Sequence, residues 1–232
     1  MKRLAAILIM LASLAGCRES RVADFWNTHD IDYTDVRAAQ DQFAAYAEQA
    51  VAAPLEEALE SMDILFDKLK EDEVAYFLYT GWIDAAFYSL LSPCRDVALY
   101  TKAVERKISD GIIYEEECQK DLKKVQWMGY NLKGAKATVP GLIFDGKRTL
   151  VLVLDSGCPS CKKALSALGE DCRWVGLRKV AICMGYGPTP EAKGWELISN
   201  ADASDVFDAE LTPIYFIIDE SGTVETGYTL AI

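Results

Sequence analysis

The sequence predicts an α/β domain with a mixed sheet and flanking helices, preceded by an all-α helical domain. Two observations lead to this fold class. From about Tyr33 to Met128, apolar residues recur every three to four positions, which is the period of amphipathic helices. After Met128 the pattern changes to glycine-rich loops and short apolar runs of strand length. We therefore expect a helical domain over residues 33–128 and an α/β domain over residues 129–232.

The composition is that of a folded and strongly acidic protein. Hydrophobic residues make up 51% of the 232 residues, and the formal net charge is −12. Such a chain is repelled by the phosphates of nucleic acids and by anionic lipid headgroups. We therefore expect no nucleic-acid partner, and we expect any attachment to a membrane to come from a lipid anchor.

The first residues have the layout of a secretory signal. Lys2–Arg3 precedes an apolar run that ends at Gly16 and is shorter than the about 20 residues of a membrane-spanning helix. The sequence Leu14–Ala15–Gly16–Cys17 looks like a bacterial lipobox, after which the signal is cut and the new N-terminal cysteine is lipidated. We predict a signal peptide over residues 1–16 and lipidation of Cys17. The alternative is an ordinary secreted protein in which this cysteine is incidental.

Residues 17–32 are polar, and we predict that they form a tether between the lipid and the first domain. The tether starts with Arg18–Glu19–Ser20, which lacks the acidic run associated with surface display. We therefore expect an anchor in the outer membrane that faces the periplasm. The single histidine, His29, lies in this tether, so we expect no catalytic or metal-binding role for it.

The helical domain is predicted from successive apolar stripes. One stripe includes Phe43, and Pro54 then stands where a second helix begins. The segment Val74–Leu91 is apolar on nearly all sides, which predicts a central buried helix. We interpret its aromatic residues as core packing and not as a ligand pocket. Two further helices are expected to begin at Pro93 and at about Glu115.

The α/β domain begins with loops, because glycine and proline crowd into residues 129–146. The first apolar run after them is continuous, as expected for a strand buried on both faces. Strand–helix–strand order followed by a hairpin predicts a sheet of mixed direction. The predicted strands are Thr149–Leu154, Val180–Met184, Ile214–Ile218 and Thr223–Tyr228, with helical segments near Ser160–Leu168 and Glu191–Ser199.

The motif that carries chemistry is Cys158–Pro159–Ser160–Cys161, which follows the first strand and opens a helix. A thiolate is the reactive form of cysteine, and a helix N-terminus stabilises negative charge. The first cysteine lies at the exposed end of the helix, and the second lies one turn in. A Cys-x-x-Cys at such a junction in an α/β pattern indicates a redox pair. We therefore predict that Cys158 attacks and that Cys161 resolves, without a cofactor.

Two other interpretations of the pair are open. A structural zinc site usually needs two such pairs or added histidines, and Cys172 and Cys183 are not spaced as a second pair. We therefore expect no metal. The other interpretation is a permanently closed, purely structural disulfide.

A second feature supports the redox interpretation. Thr212–Pro213 stands directly before the strand Ile214–Ile218, and a proline at a strand start has a positional role. Together with the Cys-x-x-Cys, these residues resemble the thioredoxin-like superfamily over about Gly129–Tyr228. The chain is most similar to envelope-anchored thiol–disulfide oxidoreductases and redoxin-like lipoproteins. Helices behind a lipobox are similar to lipoproteins of the Bacteroidetes type.

The resemblance implies roles for residues outside the motif. It implies that Pro213 is cis and lies beside the cysteines, and that Thr212 and Pro213 dock an extended substrate. The chain departs from the family at Gly157, where many relatives have tryptophan, and at Leu152, where thioredoxins place a buried carboxylate that accepts a proton. Asp155 is nearer to the cysteines but lies on a different register. We expect the absence of this carboxylate to affect the turnover rate more than the ability of the pair to exchange disulfides.

These features predict an envelope-anchored thiol–disulfide oxidoreductase. Its partners would be protein thiols and disulfides of the cell envelope, together with an unknown redox partner. One alternative is a non-catalytic binding lipoprotein with a thioredoxin-like fold. Another is a peroxide-reducing redoxin, but those enzymes usually have a threonine three residues before the cysteine, where this chain has Asp155.

The remaining cysteines are interpreted separately. If Cys94 and Cys118 lie on antiparallel helices joined at Gly111, they are roughly 15 Å out of step along the helix axis. A disulfide needs Cα atoms within about 7 Å, so we predict that these two are not linked. The pairing of Cys172 and Cys183 is left open, either as a disulfide or as two free thiols.

Overall fold

The computed structural model describes residues 21–185 and 192–231, and the predicted signal peptide and Cys17 lie outside them. No helix in these two ranges is long and apolar enough to cross a membrane. The helices are α1 (Phe25–Thr28), α2 (Val36–Ala52), α3 (Leu55–Leu69), α4 (Glu73–Ile83), α5 (Val97–Asp110), α6 (Glu115–Gly129) and α7 (Pro159–Glu170). The strands are β1 (Thr149–Asp155), β2 (Arg178–Met184), β3 (Glu196–Ser199), β4 (Ile214–Ile218) and β5 (Val224–Leu230).

The described residues divide into two compact units. The first contains residues 21–87 and 98–115, and the second contains residues 88–97, 116–185 and 192–231. The all-α domain and the α/β domain are therefore both present. Their limits differ from the predicted ranges 33–128 and 129–232, because most of α6 and the segment Tyr88–Val97 group with the α/β unit.

The first unit is an all-α fold around an aromatic core. Asp35 and Asp72 begin α2 and α4 as N-caps, since each carboxylate accepts hydrogen bonds from two backbone amides of the first turn. Pro54 precedes α3, as predicted.

Of the aromatic residues in Val74–Leu91 that were predicted as core, Tyr76, Tyr79 and Phe87 are fully buried and Trp82 is partly buried, but Phe77 is 45% exposed. The core interpretation therefore holds for most of them and is wrong for Phe77. The fully buried aromatic rings of the unit pack edge to face. They include Trp26, Tyr46, Tyr76, Tyr79 and Phe66.

The predicted tether over residues 17–32 is wrong for the part that the structure describes. Val22–Asp24 forms a 3₁₀ turn and Phe25–Thr28 forms α1. Phe25 and Trp26 are buried, and Trp26 packs against Tyr46 with ring centroids 5.0 Å apart. Polar residues surround this pair, so the sequence shows no clear apolar pattern there. Two aromatic side chains nevertheless bury enough surface to hold the segment against the first unit.

The second unit contains a five-stranded sheet in the order β3-β2-β1-β4-β5. Strands β1, β2 and β3 are parallel, whereas β4 runs antiparallel to β1 and β5 antiparallel to β4. The predicted mixed sheet is therefore confirmed. The segment Glu191–Ser199, predicted as helical, contains the edge strand β3, and residue 191 lies outside the described ranges.

The strand β1 alternates its side chains between two buried layers. Leu150, Leu152 and Leu154 face the helix α7, where they pack with Cys161 and Leu165. The other layer contains Val151 and Val153 of β1. This second layer is covered by Phe207 and by partly buried side chains such as Tyr130, Val139 and Leu142.

The glycine-rich segment 129–146 is therefore part of the α/β unit and not a linker. Gly134, Gly141 and Gly146 adopt positive φ angles, which glycine allows without strain, so the segment turns repeatedly. Just before it, the indole N–H of Trp127 in α6 donates to the Ser204 carbonyl at 3.0 Å. This hydrogen bond helps to hold α6 in the unit that contains the sheet.

The helix α5 begins at Val97 and not at the predicted Pro93. Cys94 consequently precedes the helix, and the axial offset calculated for Cys94 and Cys118 no longer applies. Both side chains are buried in the second unit, and non-reducing peptide mapping is the measurement that decides their pairing. Cys183 is a buried free thiol in β2, and Cys172 is an exposed free thiol just after α7.

Candidate redox site

The turn between β1 and α7 fixes the position of the first cysteine. The Asp155 side chain accepts a hydrogen bond from the Gly157 amide at 2.7 Å, and its carbonyl accepts one from the Cys158 amide at 3.2 Å. Cys158 has extended backbone angles and is the N-cap of α7. Pro159 follows at the first helical position, where its missing N–H has no intrahelical partner to lose. The turn therefore places the Cys158 sulfur at the N-terminus of the helix.

The two thiols occupy different environments. Cys158 is partly exposed, whereas Cys161 is 1% exposed and packs in the layer between α7 and the sheet. The Cys161 amide donates to the Cys158 Sγ at 3.3 Å. The Ser160 Oγ lies 2.9 Å from the same sulfur and shares a hydrogen bond with it. One sulfur is thus accessible and has several hydrogen-bond partners, while the other is enclosed.

These environments shift the two pKa values in opposite directions. The pKa of Cys158 is lowered from 9.0 by hydrogen bonds from the Cys161 and Ser160 side chains, with smaller contributions from backbone amides. The pKa of Cys161 is raised to about 11, chiefly by burial and next by the hydrogen bond with Cys158. The backbone of Asp155 and the Thr212 hydroxyl oppose this increase. The thiolate therefore forms first on Cys158, the partly exposed sulfur.

The residues Thr212 and Pro213 lie beside this pair. Their peptide bond is cis, as the resemblance implied. They line the same groove as Ser160, and this groove has a volume of about 530 Å³. The Thr212 hydroxyl donates to the Ala209 carbonyl at 2.8 Å, which fixes the loop before β4. The Thr212 side chain also forms a hydrogen bond that lowers the pKa of Cys161, so this loop lies close to the thiol pair, as the resemblance implied.

The departure from the thioredoxin pattern at Leu152 has a clear structural outcome. Leu152 is fully buried in the layer that contains Cys161, so an apolar side chain occupies this position. Asp155 binds the turn through its carboxylate instead. Within residues 21–185 and 192–231, no cluster of three histidine, cysteine or acidic side chains is arranged to hold a metal ion.

A solved structure with a similar fold decides the fold class. A thioredoxin-like protein from Bacteroides caccae superposes with a TM-score of 0.65 and 16% sequence identity, over 90% of this chain and 87% of its own. The fold is thioredoxin-like. Because that superposition spans nearly the whole chain, it includes the N-terminal helical region as well as the thioredoxin-like sheet.

A second structure matches over a shorter range. It is the thioredoxin domain of a thiol–disulfide oxidoreductase from Bacteroides vulgatus, with 19% identity over 38% of this chain and 72% of that domain, and a TM-score of 0.26. No family model matches the chain, and no curated protein matches it in sequence.

Two features of the site were not predicted from the sequence. One is the contact of Ser160, although a hydroxyl two residues after a helix-capping cysteine can reach that sulfur. The other is the groove beside the pair, whose walls include Lys163 and Arg173. These side chains come from α7 and from the turn after it, and no local pattern indicates that they border the same cavity as Pro213.

Proposed function

We propose that this protein is an envelope-anchored thiol–disulfide oxidoreductase that exchanges disulfides with proteins of the periplasm. The observation that carries the proposal is the asymmetry of the pair. Cys158 is a partly exposed sulfur with a lowered pKa at a helix N-terminus, and Cys161 is a buried thiol one turn later. A purely structural disulfide does not require one accessible, acidic sulfur.

The reaction follows from this asymmetry. The Cys158 thiolate attacks a disulfide of the partner, which forms a mixed disulfide and releases one partner sulfur as a thiol. Cys161 then loses its proton and attacks Cys158, so that the second partner thiol leaves and the pair is oxidised. The partner gains two electrons, and the same steps in reverse oxidise a dithiol. The reduction potential of the pair decides which direction operates.

The replacement Cys161→Ser tests this proposal. Attack by Cys158 still occurs but resolution does not, so the variant should accumulate mixed disulfides with envelope proteins on non-reducing gels. Cys158→Ser should trap nothing, and Cys172→Ser, which replaces an exposed cysteine away from the pair, should behave as the parent. If Cys161→Ser traps no partner and the parent does not reduce insulin, a non-catalytic binding lipoprotein becomes the better interpretation.

The anchor is the second part of the proposal and rests on the sequence Leu14–Ala15–Gly16–Cys17. The lipid on Cys17 would hold the protein at the outer membrane, facing the periplasm. Cys17→Ser should release the protein from the membrane fraction or leave the signal peptide uncut, as seen by fractionation and by intact mass. The variant Cys172→Ser serves again as the control. Unchanged processing and unchanged membrane association of Cys17→Ser would contradict lipid anchoring.

A further inference from the structure

The groove beside the thiol pair extends well beyond the reacting atoms. It begins at Ser160 and Pro213 and continues along one face of α7 past Ala164 and Leu168. On its other side it is bordered by Tyr215 of β4 and by Ala231. Ser160 to Leu168 spans more than two helical turns, so the groove is about 12 Å long on this wall. Its volume of about 530 Å³ is within the range of ligand-binding clefts.

Most of the groove is apolar. Ala164 and Leu168 are small or aliphatic side chains on α7, and Tyr215 contributes an aromatic ring that packs against Trp174 with centroids 5.9 Å apart. Tyr215 and Ala231 both belong to the sheet layer that packs around Cys161. A segment that filled this groove would therefore lie against the same layer that holds the resolving thiol.

The charges of the side chains that line the groove do not sum to zero. Asp171 and Arg173 pair with each other, because the Arg173 guanidinium donates to the Asp171 carboxylate at 2.8 and 2.6 Å. Lys163 follows Cys161 by two residues in α7 and makes no ion pair with any residue in the ranges 21–185 and 192–231. A protein with a net charge of −12 thus presents an available cation in the groove that contains Ser160.

We propose that the redox partner docks in this groove through an apolar segment that carries a carboxylate close to the exchanging cysteine. This inference rests on the proposed function and names its substrate class. The apolar side chains of the segment lie against α7 and Tyr215, and its carboxylate meets Lys163. The partner sulfur then lies at Cys158, because Ser160 belongs to the groove and its hydroxyl is 2.9 Å from the Cys158 sulfur.

The neighbouring residues of α7 provide matched controls. Lys162 is adjacent to Lys163 and carries the same charge in the first turn, but it lines a different cavity on the opposite side of the helix. Ser166 and Ala167 are related in the same way. All four side chains are exposed, so their replacement leaves the core unchanged.

The experiment measures second-order rates of the reduced full chain with three disulfides. One is hydroxyethyl disulfide, which is small and uncharged. The other two are peptides with a single cysteine between leucines, each blocked by 2-mercaptoethanol, that differ only in a glutamate or a lysine next to the leucines. The reduced pair supplies both electrons and becomes a disulfide, while the peptide and 2-mercaptoethanol leave as thiols. Every peptide rate is divided by the rate with hydroxyethyl disulfide.

The parent protein should react about fivefold faster with the glutamate peptide than with the lysine peptide, which is the size of one exposed ion pair. Lys163→Glu should reverse this preference, and Lys162→Glu should keep it. Ala167→Trp should slow both peptides about fivefold by filling the groove, and Ser166→Trp should not.

Three results would overturn the inference: equal rates with the two peptides, an equal effect of Lys162→Glu and Lys163→Glu, or an equal effect of the two tryptophan variants. In each of these cases hydroxyethyl disulfide still reacts, so thiol–disulfide exchange stands and only the docking site fails. If hydroxyethyl disulfide itself does not react, the proposed function fails first.

Discussion

The Cys158 and Cys161 thiols differ because burial and hydrogen bonding act on them in opposite directions. Cys158 gains hydrogen bonds that favour its thiolate, whereas Cys161 loses contact with water, which disfavours a charge. Only the thiolate reacts at an appreciable rate with alkylating reagents. Alkylation of the reduced protein should therefore follow two separate titrations, with Cys158 reacting below pH 9.0 and Cys161 only at about pH 11. Mass spectrometry of peptides alkylated over a pH series measures both, and an earlier reaction of Cys161 would reverse their roles.

Ser160 contributes to the acidity of Cys158 through its hydroxyl, 2.9 Å from the sulfur. The variant Ser160→Ala removes one hydrogen bond to the thiolate, so the alkylation midpoint of Cys158 should move to higher pH. Ser166→Ala, on an exposed position of the same helix, should leave that midpoint where it is. A midpoint that does not respond to Ser160→Ala would show that the hydroxyl donates elsewhere in solution.

At this scale the sequence indicates two candidate thiols, but residue spacing does not show what surrounds them. The spacing of Cys158 and Cys161 at a strand-to-helix junction is a local pattern, and so are the order of attack and resolution that follow from it. The pKa-lowering hydrogen bond of Ser160 depends on a side-chain rotamer, and the position of Thr212 beside Cys161 depends on how β4 pairs with β1. Neither can be obtained from residue spacing alone.

Elements with a continuous apolar signal were predicted well, and short elements held by tertiary contacts were not. The run Ile214–Ile218 coincides with β4, because a strand buried on both faces is apolar at every position. The strand β3 has only four residues, Glu196–Ser199, and an edge position. Its pairing with Val180–Cys183 of β2 cannot be seen in its own sequence, so the segment was interpreted as helical.

The helix α1 offers a direct test of the corrected tether. Trp26 is fully buried against Tyr46 and Tyr79, so Trp26→Ala should lower the free energy of unfolding of the first unit by about 3–5 kcal/mol. The neighbouring Asn27 is exposed, and Asn27→Ala should change it by less than about 0.5 kcal/mol. Urea unfolding followed by circular dichroism measures both variants. A true tether would make the two replacements equally harmless.

In the whole molecule, the boundary between the two compact units falls within residues 33–128, which the sequence predicts to be one helical domain. Tyr88 is part of the α/β unit, where its hydroxyl donates to the buried carboxylate of Asp208. The amide of Glu210 donates to the same carboxylate at 2.9 Å. A segment before α5 and the helix after it thus both belong to the sheet unit, although α5 itself does not. The change from helical to strand periodicity near Met128 marks a change of secondary structure, whereas the two compact units divide before it, within the predicted helical domain.

Two fragments should show whether α6 belongs to the α/β unit or to the helical domain. A fragment of residues 116–232 retains nearly all of α6, and a fragment of residues 129–232 follows the boundary that the sequence suggested. Met128 is buried and the Trp127 indole donates to Ser204, so the longer fragment should be more stable by about 2–4 kcal/mol. Both fragments lack Tyr88, so the difference reports on α6 alone.

Urea midpoints measure the stability of both fragments. Trp127→Phe in the longer fragment should reduce the difference by about 1 kcal/mol, since it removes the donor to Ser204 and keeps most of the ring. Equal midpoints for the two fragments would return the boundary to residue 129 and leave α6 with the helical domain.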